Sequence, residues 1–246
     1  MNTDEPAWTP PLLKSPHAVP DKARRVRQMF NAIAPRYERV NRLFSAGRDA
    51  TWRRRAVELA GADRDDDVLD VACGTGDFAR AFADAGCRTV IGCDFAHEML
   101  LHAADRHPGT SRWCEADACR LPFRSGVLSI VSCAFGVRNF ADLDAGLGEM
   151  CRVLRAGGRA VILEFTRPRR RLARALYELY ATRLMPVAAS LISGDRSGAY
   201  RYLPRSVVSF LDAEQMGARL RRAGFSRVTD TPLTSGIVTV YVATRE

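Results

Sequence analysis

Residues 70–77 read DVACGTGD, and they are the most informative segment for the fold. It follows a short apolar run and precedes a segment with helical periodicity, so it predicts a turn between a strand and a helix. Gly74 and Gly76 permit a tight turn and a close approach of a ligand to the backbone. Open α/β sheets bind ligands at this edge, beyond the carboxyl ends of their strands. The stretch therefore predicts the first strand of such a sheet and the start of its binding site.

Short apolar runs alternate with helix-like stretches after Gly61, and this order predicts a parallel sheet with right-handed crossovers. The runs suit strands that are covered on both faces. The last two runs, 225–232 and 236–244, are joined by too few residues for a helical crossover, so the last strand should be antiparallel to its neighbour. We expect a Rossmann-like α/β fold of the class I methyltransferase type, with a mostly parallel seven-stranded sheet and an antiparallel last strand. The earlier strand candidates are 68–72, 89–93, 129–134 and 159–165, and the helix candidates are 77–86, 97–106 and 142–155.

The rest of the chain predicts appendages to a single domain over residues 21–246. Residues 1–20 contain five prolines and little apolar periodicity, which predicts a flexible tail. Residues 21–60 have helical periodicity that is interrupted near Pro35. Residues 166–210 predict a helical insertion after the fifth strand. Within it, a helix over 168–192 carries an apolar stripe and five arginines, and this pattern fits a lid that docks on a membrane as well as a helix packed on the core.

Composition excludes several classes of protein. The chain has 246 residues, of which 47% are hydrophobic and 26% are charged, so it can form one sizeable core. The net charge of +9 favours anionic partners without choosing between nucleic acid and lipid headgroups. The seven cysteines form no CxxC pair, so we expect reduced, buried thiols in a cytoplasmic protein, with no metal site. We expect neither an export signal nor a membrane-spanning helix.

Two acidic residues extend the predicted binding site along the sheet edge. Asp94 closes the second predicted strand 18 residues after Gly76, where a carboxylate can accept both hydroxyls of a ribose. Asp117 lies in a third element, residues 115–118, just before Leu121, and could face an adenine amino group. S-adenosylmethionine carries a sulfonium cation and no phosphate, so Asp70 and Asp77 beside the turn fit its charge. For Asp70, capping of the following helix is the alternative.

The chain resembles the UbiE/MenG family of demethylmenaquinone and polyprenyl-benzoquinol C-methyltransferases, from about Asp21 to Arg245. The segments LDVACGTGDF, CDFAHEML, ADACRLPF, EMCRVLRAGGRAVILEF and LTSGIV contribute to the resemblance. The most specific segments are AFGVRNF, around residues 135–139, and SGAYRYLPRSV, around residues 200–206. The resemblance implies methyl transfer from S-adenosylmethionine to a ring carbon of a polyprenyl quinol, either demethylmenaquinol or the related benzoquinol.

The resemblance also implies roles for individual residues. Gly74, Thr75, Gly76, Asp94, Asp117 and Ala118 would bind the donor. Arg138 and Asn139 would be catalytic and face the quinol, and Tyr202 would line the quinol pocket. An ion pair of Arg138 with Asp142 or Asp144 is the alternative for that arginine. Ala134 stands where the family commonly has serine, so a hydroxyl contact would be missing and Ala134 is left out of the site.

The resemblance further implies a membrane-borne substrate and hence a cytoplasmic enzyme with peripheral contact at the inner face of the membrane. The oligomeric state stays open, with a homodimer as one option. A nucleic-acid methyltransferase is disfavoured because the fourth strand is followed by neither a Pro-Pro-aromatic segment nor a Pro-Cys nucleophile. Three alternatives remain: a methyltransferase that acts on another small molecule, an NAD-dependent oxidoreductase and a non-catalytic binding module. The oxidoreductase is disfavoured because this chain lacks the third glycine of the dinucleotide fingerprint.

Overall fold

A computed structural model describes residues 7–45, 47–109, 111–168 and 198–246. Within these residues, seven strands form one sheet in the order β3-β2-β1-β4-β5-β7-β6. The strands from β3 to β5 are parallel, and β7 runs antiparallel to both β5 and β6. This topology confirms the expected fold class. The strands are β1 (Asp67–Val71), β2 (Thr89–Asp94), β3 (Arg112–Glu115), β4 (Leu128–Ala134), β5 (Leu154–Phe165), β6 (Phe225–Leu233) and β7 (Val238–Arg245).

The helices follow the predicted order with small changes at their ends. The interruption near Pro35 is a 3-10 turn over Ala34–Arg36. The helix predicted for 142–155 ends earlier, at Val153, because β5 starts at Leu154. The helices are α1 (Lys22–Ile33), α2 (Tyr37–Phe44), α3 (Asp49–Ala60), α4 (Asp77–Asp84), α5 (His97–Arg106), α6 (Leu143–Val153), α7 (Ala199–Val208) and α8 (Ala213–Arg222).

Alternation along the central strands divides the core between the two faces of the sheet. Leu69 and Val71 of β1 pack with residues of α6 and α8 on one face. Val68 packs with residues of α3 and α4 on the other face. Because both faces are covered, the inner strands carry apolar side chains on both of their faces. The sheet is therefore open to a ligand at its edge, where the loops follow the carboxyl ends of the strands.

A third apolar cluster covers this edge and includes the N-terminal segment. Trp8 and Leu13 are buried with residues of α1, α5 and α7, and the Trp8 ring stacks on Tyr202 with centroids 4.1 Å apart. Residues 7–20 are thus packed on the domain, in contrast to the loose tail expected from the prolines. Proline suppresses helix formation, but it does not prevent the apolar side chains between prolines from being buried.

The insertion after β5 is described only at its ends. Of the predicted insertion over 166–210, residues 169–197 lie outside the described residues, and with them nearly all of the amphipathic helix predicted for 168–192. Its C-terminal end is α7, which lies in the apolar cluster beside Trp8. Of the helices that the structure describes, none has the length and apolar character needed to cross a membrane.

Candidate active site

The turn between β1 and α4 has the strained backbone that its glycines predict. Gly74 and Gly76 have φ angles of 54° and 86°, in the left-handed region that favours glycine. A Cβ atom at Gly76 would lie 2.5 Å from Cη2 of Trp113, so no larger residue fits without a shift of that ring. Ala72 also has a positive φ, of 52°. The turn therefore depends on small residues that let a ligand come close to the backbone.

Asp94 lies at the end of β2 and contacts this turn directly. Its Oδ2 accepts a hydrogen bond of 2.9 Å from the Gly74 amide, and its Oδ1 accepts one of 2.8 Å from the Ala96 amide. Burial raises the pKa of Asp94 to about 6, although these backbone amides act in the opposite direction. Each carboxylate oxygen has lone pairs beyond those two bonds. Asp94 is thus fixed in position and can still accept the two hydroxyls of a ribose.

The loop after β3 places Asp117 and Ala118 next to Asp94. The Ala116 amide donates to the Asp94 carbonyl at 3.0 Å, which ties the loop to the end of β2. The Asp117 carboxylate accepts a 2.8 Å hydrogen bond from the Cys119 amide. The three parts of the predicted donor site therefore meet at one edge of the sheet.

A cavity of about 580 Å³, including its opening to solvent, lies at this edge. Predicted site residues on its wall are Gly74, Asp94, Asp117, Ala118 and Asn139. Ala134, which was left out of the predicted site, also lies on this wall. The other lining residues are mostly apolar or aromatic: Phe30, Tyr37, Ala72, Phe95, Met99, Ala116, Phe135, Gly136 and Phe140.

A smaller, more polar chamber of about 300 Å³ adjoins the cavity on the other side of the glycine turn. The two spaces share Tyr37, Ala72, Gly74 and Ala134 on their walls. Thr75 lines the chamber, and Gly76 shapes the turn without lining either space. Charged side chains at the chamber are Arg53, Asp70 and Asp77.

Asp70 is buried below the turn and caps the backbone of α4. Its Oδ2 accepts from the Ala79 amide at 3.1 Å, and its Oδ1 accepts from the Ser132 hydroxyl at 2.7 Å. Burial raises the pKa of Asp70 to about 7. Asp70 therefore caps the following helix, as the alternative interpretation of this residue predicts. It also borders the polar chamber.

Arg138 lies behind the cavity wall in a buried ion pair. Its Nη1 donates to Oε1 of Glu164 at 2.5 Å and to the Phe135 carbonyl at 2.6 Å, and its Nε donates to the Ser206 hydroxyl at 3.3 Å. Burial alone would lower the pKa of Arg138, but the Glu164 carboxylate raises it. The guanidinium borders a separate hollow together with Lys22.

The alternative prediction, an ion pair of Arg138 with Asp142 or Asp144, is wrong. Asp142 caps α6 by accepting from the Ala145 amide, and Asp144 pairs with Arg219. Both aspartates belong to the helix that follows the turn, whereas the carboxylate that reaches Arg138 comes from the neighbouring strand β5.

Asn139 and Tyr202 form a polar pair at the cavity. The Tyr202 hydroxyl donates to Oδ1 of Asn139 at 3.0 Å, and Nδ2 of Asn139 donates to the Phe135 carbonyl at 3.4 Å. Asn139 lines the cavity, whereas Tyr202 is buried behind it and reaches it through Asn139. The predicted catalytic and substrate residues are thus brought together, with Asn139 on the wall and Arg138 and Tyr202 supporting the same turn.

Comparison with known proteins decides the family. A model of the ubiE/COQ5 methyltransferase family matches residues 19–245. The chain belongs to the ubiE/COQ5 methyltransferase family. It is 46% identical over 221 residues to a demethylmenaquinone methyltransferase of Thermus thermophilus, which covers 88% of this chain and 100% of that protein. It is 41% identical over 236 residues to a ubiquinone/menaquinone biosynthesis C-methyltransferase UbiE of Geobacter sulfurreducens, which covers 92% of this chain and 90% of that protein.

Solved structures confirm the fold of this ubiE/COQ5 methyltransferase. A SAM-dependent methyltransferase from Thermotoga maritima superposes with a TM-score of 0.63 at 18% identity, over 89% of this chain and 99% of that one. The [4+2]-cyclase SpnF gives a TM-score of 0.67 at 17% identity, over 92% and 97% of the two chains. At this identity the likeness concerns the fold, and a cyclase on the same scaffold illustrates that fold does not fix the reaction.

S-adenosylmethionine is the methyl donor of this ubiE/COQ5 methyltransferase, as expected from the sequence. The residues at the sheet edge fit it. The position of Gly76 excludes a side chain beside the turn, and Asp94 keeps free lone pairs for hydroxyl groups. Asp94, Asp117 and Ala118 would hold its adenosine part, and the polar chamber lies beyond the turn for its amino-acid part.

Several residues of the site escaped the sequence analysis. Tyr37 lies at the junction of the cavity and the chamber, although its place in a helical apolar run gave no signal of this. Arg53 lies within an Arg-Arg-Arg run, which hides that this one arginine is buried. Glu164 did carry a signal, because a carboxyl group in an otherwise apolar strand needs a buried partner.

Lys22 was missed as well, and it holds the turn that carries Asn139. Its Nζ donates to the carbonyl oxygens of Arg138 and Phe140 at 3.1 and 2.6 Å. Burial lowers the pKa of Lys22 to about 8. Helix α1 is thus tied through one ammonium group to the wall of the cavity.

Proposed function

We propose that this methyltransferase transfers the methyl group of S-adenosylmethionine to a ring carbon of a polyprenyl quinol, either demethylmenaquinol or the corresponding benzoquinol of ubiquinone biosynthesis. The relatives named above act in these two pathways. The observation that carries the proposal is that Asn139, from the most specific segment of the family, lines the same cavity as Asp94. The donor and the ring would therefore meet inside one space.

The cavity offers the two surfaces that this reaction needs. Its polar edge is the row of donor residues at the ends of β1, β2 and β3. Its other walls carry Phe30, Phe95, Met99 and Phe140, which suit an apolar aromatic ring. Exclusion of water by these side chains would strengthen the electrostatic interactions with the ring.

Methylation of a ring carbon requires an electron-rich ring, which a quinol becomes when a hydroxyl loses its proton. The pKa of such a hydroxyl resembles that of tyrosine, about 10, so the site must favour the phenolate. Arg138 supplies a positive charge beside Asn139, and positive charge favours the ionised form of the ring. Because arginine stays protonated, Arg138 cannot take the proton, and we assign that step to a water molecule that relays the proton from the quinol to a neighbouring group.

The residues around Arg138 define how it acts. Its guanidinium is fixed by Glu164 and by the Phe135 carbonyl, so it cannot follow a moving substrate. Asn139 is the group that would contact the quinol hydroxyl, and Tyr202 would orient its amide. We therefore propose Asn139 as the residue in contact with the ring and Arg138 as the fixed charge behind it.

The polyprenyl tail makes access from a membrane part of the proposal. A peripheral enzyme at the inner face of the membrane could take the quinol without leaving the lipid surface. The net charge of +9 fits contact with anionic headgroups. The predicted amphipathic helix over 168–192, which would mediate this contact, lies outside the described residues. A homodimer is likewise a proposal that only solution measurements test.

Mass spectrometry of the reaction product tests the proposed function. Purified protein, S-adenosylmethionine and reduced demethylmenaquinol in lipid vesicles should yield a quinol that is heavier by one methyl group on the ring. Reduced demethylated benzoquinol is the second substrate of the test. The charge-balanced variant Arg138→Met/Glu164→Gln should lose turnover while it still binds S-adenosylmethionine. If wild-type protein binds the donor but methylates neither quinol, the enzyme acts on another small molecule and the proposal fails.

A further inference from the structure

Arg53 is a buried cation at the wall of the polar chamber. It lies on α3, its residue is only 6% exposed, and its guanidinium carbon lies 5.7 Å from the centre of the Phe135 ring. The ring and the helix hold the guanidinium at the chamber, where Thr75 and Asp77 also lie. A buried arginine at a ligand chamber is costly unless its charge and its donors are satisfied.

The described residues accept hydrogen bonds from only some of the N–H groups of this guanidinium. Nη1 donates to Oδ2 of Asp49 at 2.5 Å. Nη2 lies 3.8 Å from Oδ2 of Asp77, which is beyond hydrogen-bond distance. Nε is buried and has no hydrogen-bond partner among the described residues. The guanidinium therefore keeps donors that an incoming acceptor can use.

The position of the chamber identifies that acceptor. The Gly74 amide contacts Asp94, and Gly74 lines both the cavity and the chamber. A donor whose ribose is held by Asp94 has its amino-acid end on the other side of this turn. That end carries an α-carboxylate and an α-ammonium group. The carboxylate matches the guanidinium, and the ammonium matches the carboxyl groups of Asp70 and Asp77.

We propose that Arg53 binds the α-carboxylate of S-adenosylmethionine through the guanidinium edge that the protein leaves unpaired. The proposal rests on the placement of the donor within the proposed function and adds to it the residue that recognises the amino-acid end. Arg53 then selects donors that carry a carboxylate. The same contact aligns the sulfonium with the cavity, because the donor is held at both ends.

A purely structural role for Arg53 is the competing explanation. The pair with Asp49 lies one helical turn away within α3, and the contact with Asp77 would join α3 to α4. Such a role predicts that loss of Arg53 weakens the binding of every adenosine ligand equally, through a general loss of order. A carboxylate contact predicts a loss that depends on whether the ligand has the carboxylate.

Calorimetric titration of the full chain with S-adenosylmethionine and with decarboxylated S-adenosylmethionine separates the two explanations. The two ligands share the adenosine, the sulfonium and the ammonium. In Arg53→Met, the affinity for S-adenosylmethionine should fall by about tenfold to a hundredfold, because a charge-assisted hydrogen bond is lost. The affinity for the decarboxylated ligand should change by less than about twofold.

Three further variants keep the test decisive. Asp49→Asn/Arg53→Met removes the charge that Arg53→Met would leave unpaired and should show the same ligand-dependent loss. Arg54→Met alters the exposed neighbour and should change neither affinity. If Arg53→Met does not fold, Arg53→Lys retains the charge without the planar fork, and it should still weaken binding of the carboxylated ligand alone.

An equal loss for both ligands, or no loss for either, would overturn the proposal. Failure of the donor placement itself would look different, because Asp94→Ala would then leave the affinity for both ligands unchanged. Failure of the proposed quinol reaction would leave both titrations unchanged and appear only in the product assay.

Discussion

Nη1 of Arg138 lies 2.5 Å from Oε1 of Glu164, and both side chains are buried. The two residues come from different parts of the chain, Arg138 from the turn after β4 and Glu164 from β5. Their pairing fixes the backbone of residues 137–139 against the sheet, since the same guanidinium also binds the Phe135 carbonyl. The turn that carries Asn139 therefore depends on a carboxylate in the neighbouring strand.

Removal of Glu164 should destabilise the protein strongly. Glu164→Ala leaves the buried Arg138 guanidinium without its counter-charge, and breaking such a pair costs about 3–5 kcal/mol. Urea unfolding should show this loss in the free energy of unfolding. Asp84→Ala, which breaks the exposed pair with Arg80, is the control and should cost little. Equal costs for the two variants would show that the buried pair does not support the fold.

Binding of the donor should depend on the protonation of Asp94. Burial raises the pKa of this carboxyl to about 6, so below that pH the free protein holds Asp94 protonated and less able to accept the ribose hydroxyls. Protonation of Asp94 should lower the affinity for S-adenosylhomocysteine below pH 6, by a factor that approaches about tenfold per pH unit. Calorimetric titration between pH 5 and 8 measures this affinity.

Two variants of Asp94 check the cause of this pH dependence. Asp94→Asn should bind the ligand weakly and lose the part of the dependence that is centred near pH 6. Asp70, with a pKa raised to about 7, is then the carboxyl group that still titrates near the turn. Asp94→Ala should weaken binding at all pH values. If Asp94→Asn retained wild-type affinity, Asp94 would not be the ribose residue.

Loss of the Tyr202 hydroxyl should affect the quinol step more than donor binding. Tyr202→Phe removes the hydrogen bond to Asn139 and leaves the amide less fixed, at a cost in unfolding free energy of about 1 kcal/mol. We expect lower turnover with the quinol and an unchanged affinity for S-adenosylhomocysteine. Tyr241→Phe changes another buried tyrosine, on β7, and should leave turnover intact. Similar turnover in the two variants would show that the Tyr202 hydroxyl does not contribute to the quinol step.

Gly76 and Gly86 form a matched pair for a test of the turn. Their φ angles are 86° and 85°, so alanine should cause similar backbone strain at both. Only at Gly76 would the new Cβ come within 2.5 Å of Trp113, whereas nothing lies within 4 Å at Gly86. Gly76→Ala should therefore lower donor affinity by at least about tenfold, or roughly 1.4 kcal/mol, and Gly86→Ala should not. Equal affinities would show that the space beside Trp113 is not needed for binding.

The order of strands and helices, the antiparallel last strand and the residues of the donor edge could be predicted from the amino-acid sequence. Gly74 and Asp94 could be placed because each follows a strand that an apolar run predicts, and parallel strands end at one edge. Asp117 was assigned from its own segment, residues 115–118, without a predicted strand before it. These inferences use only local spacing and the rule for crossovers. They did not depend on how any helix is rotated about its axis.

The side chains that meet behind that edge could not be predicted from the sequence and are known from the folded structure. Glu164 rather than Asp142 pairs with Arg138, Arg53 alone of its run is buried, and Trp8 stacks on Tyr202 across most of the chain length. Such contacts depend on the rotation of each helix and on the pairing of strands that are distant in sequence. Periodicity shows that a face is buried, but it does not show what that face contacts.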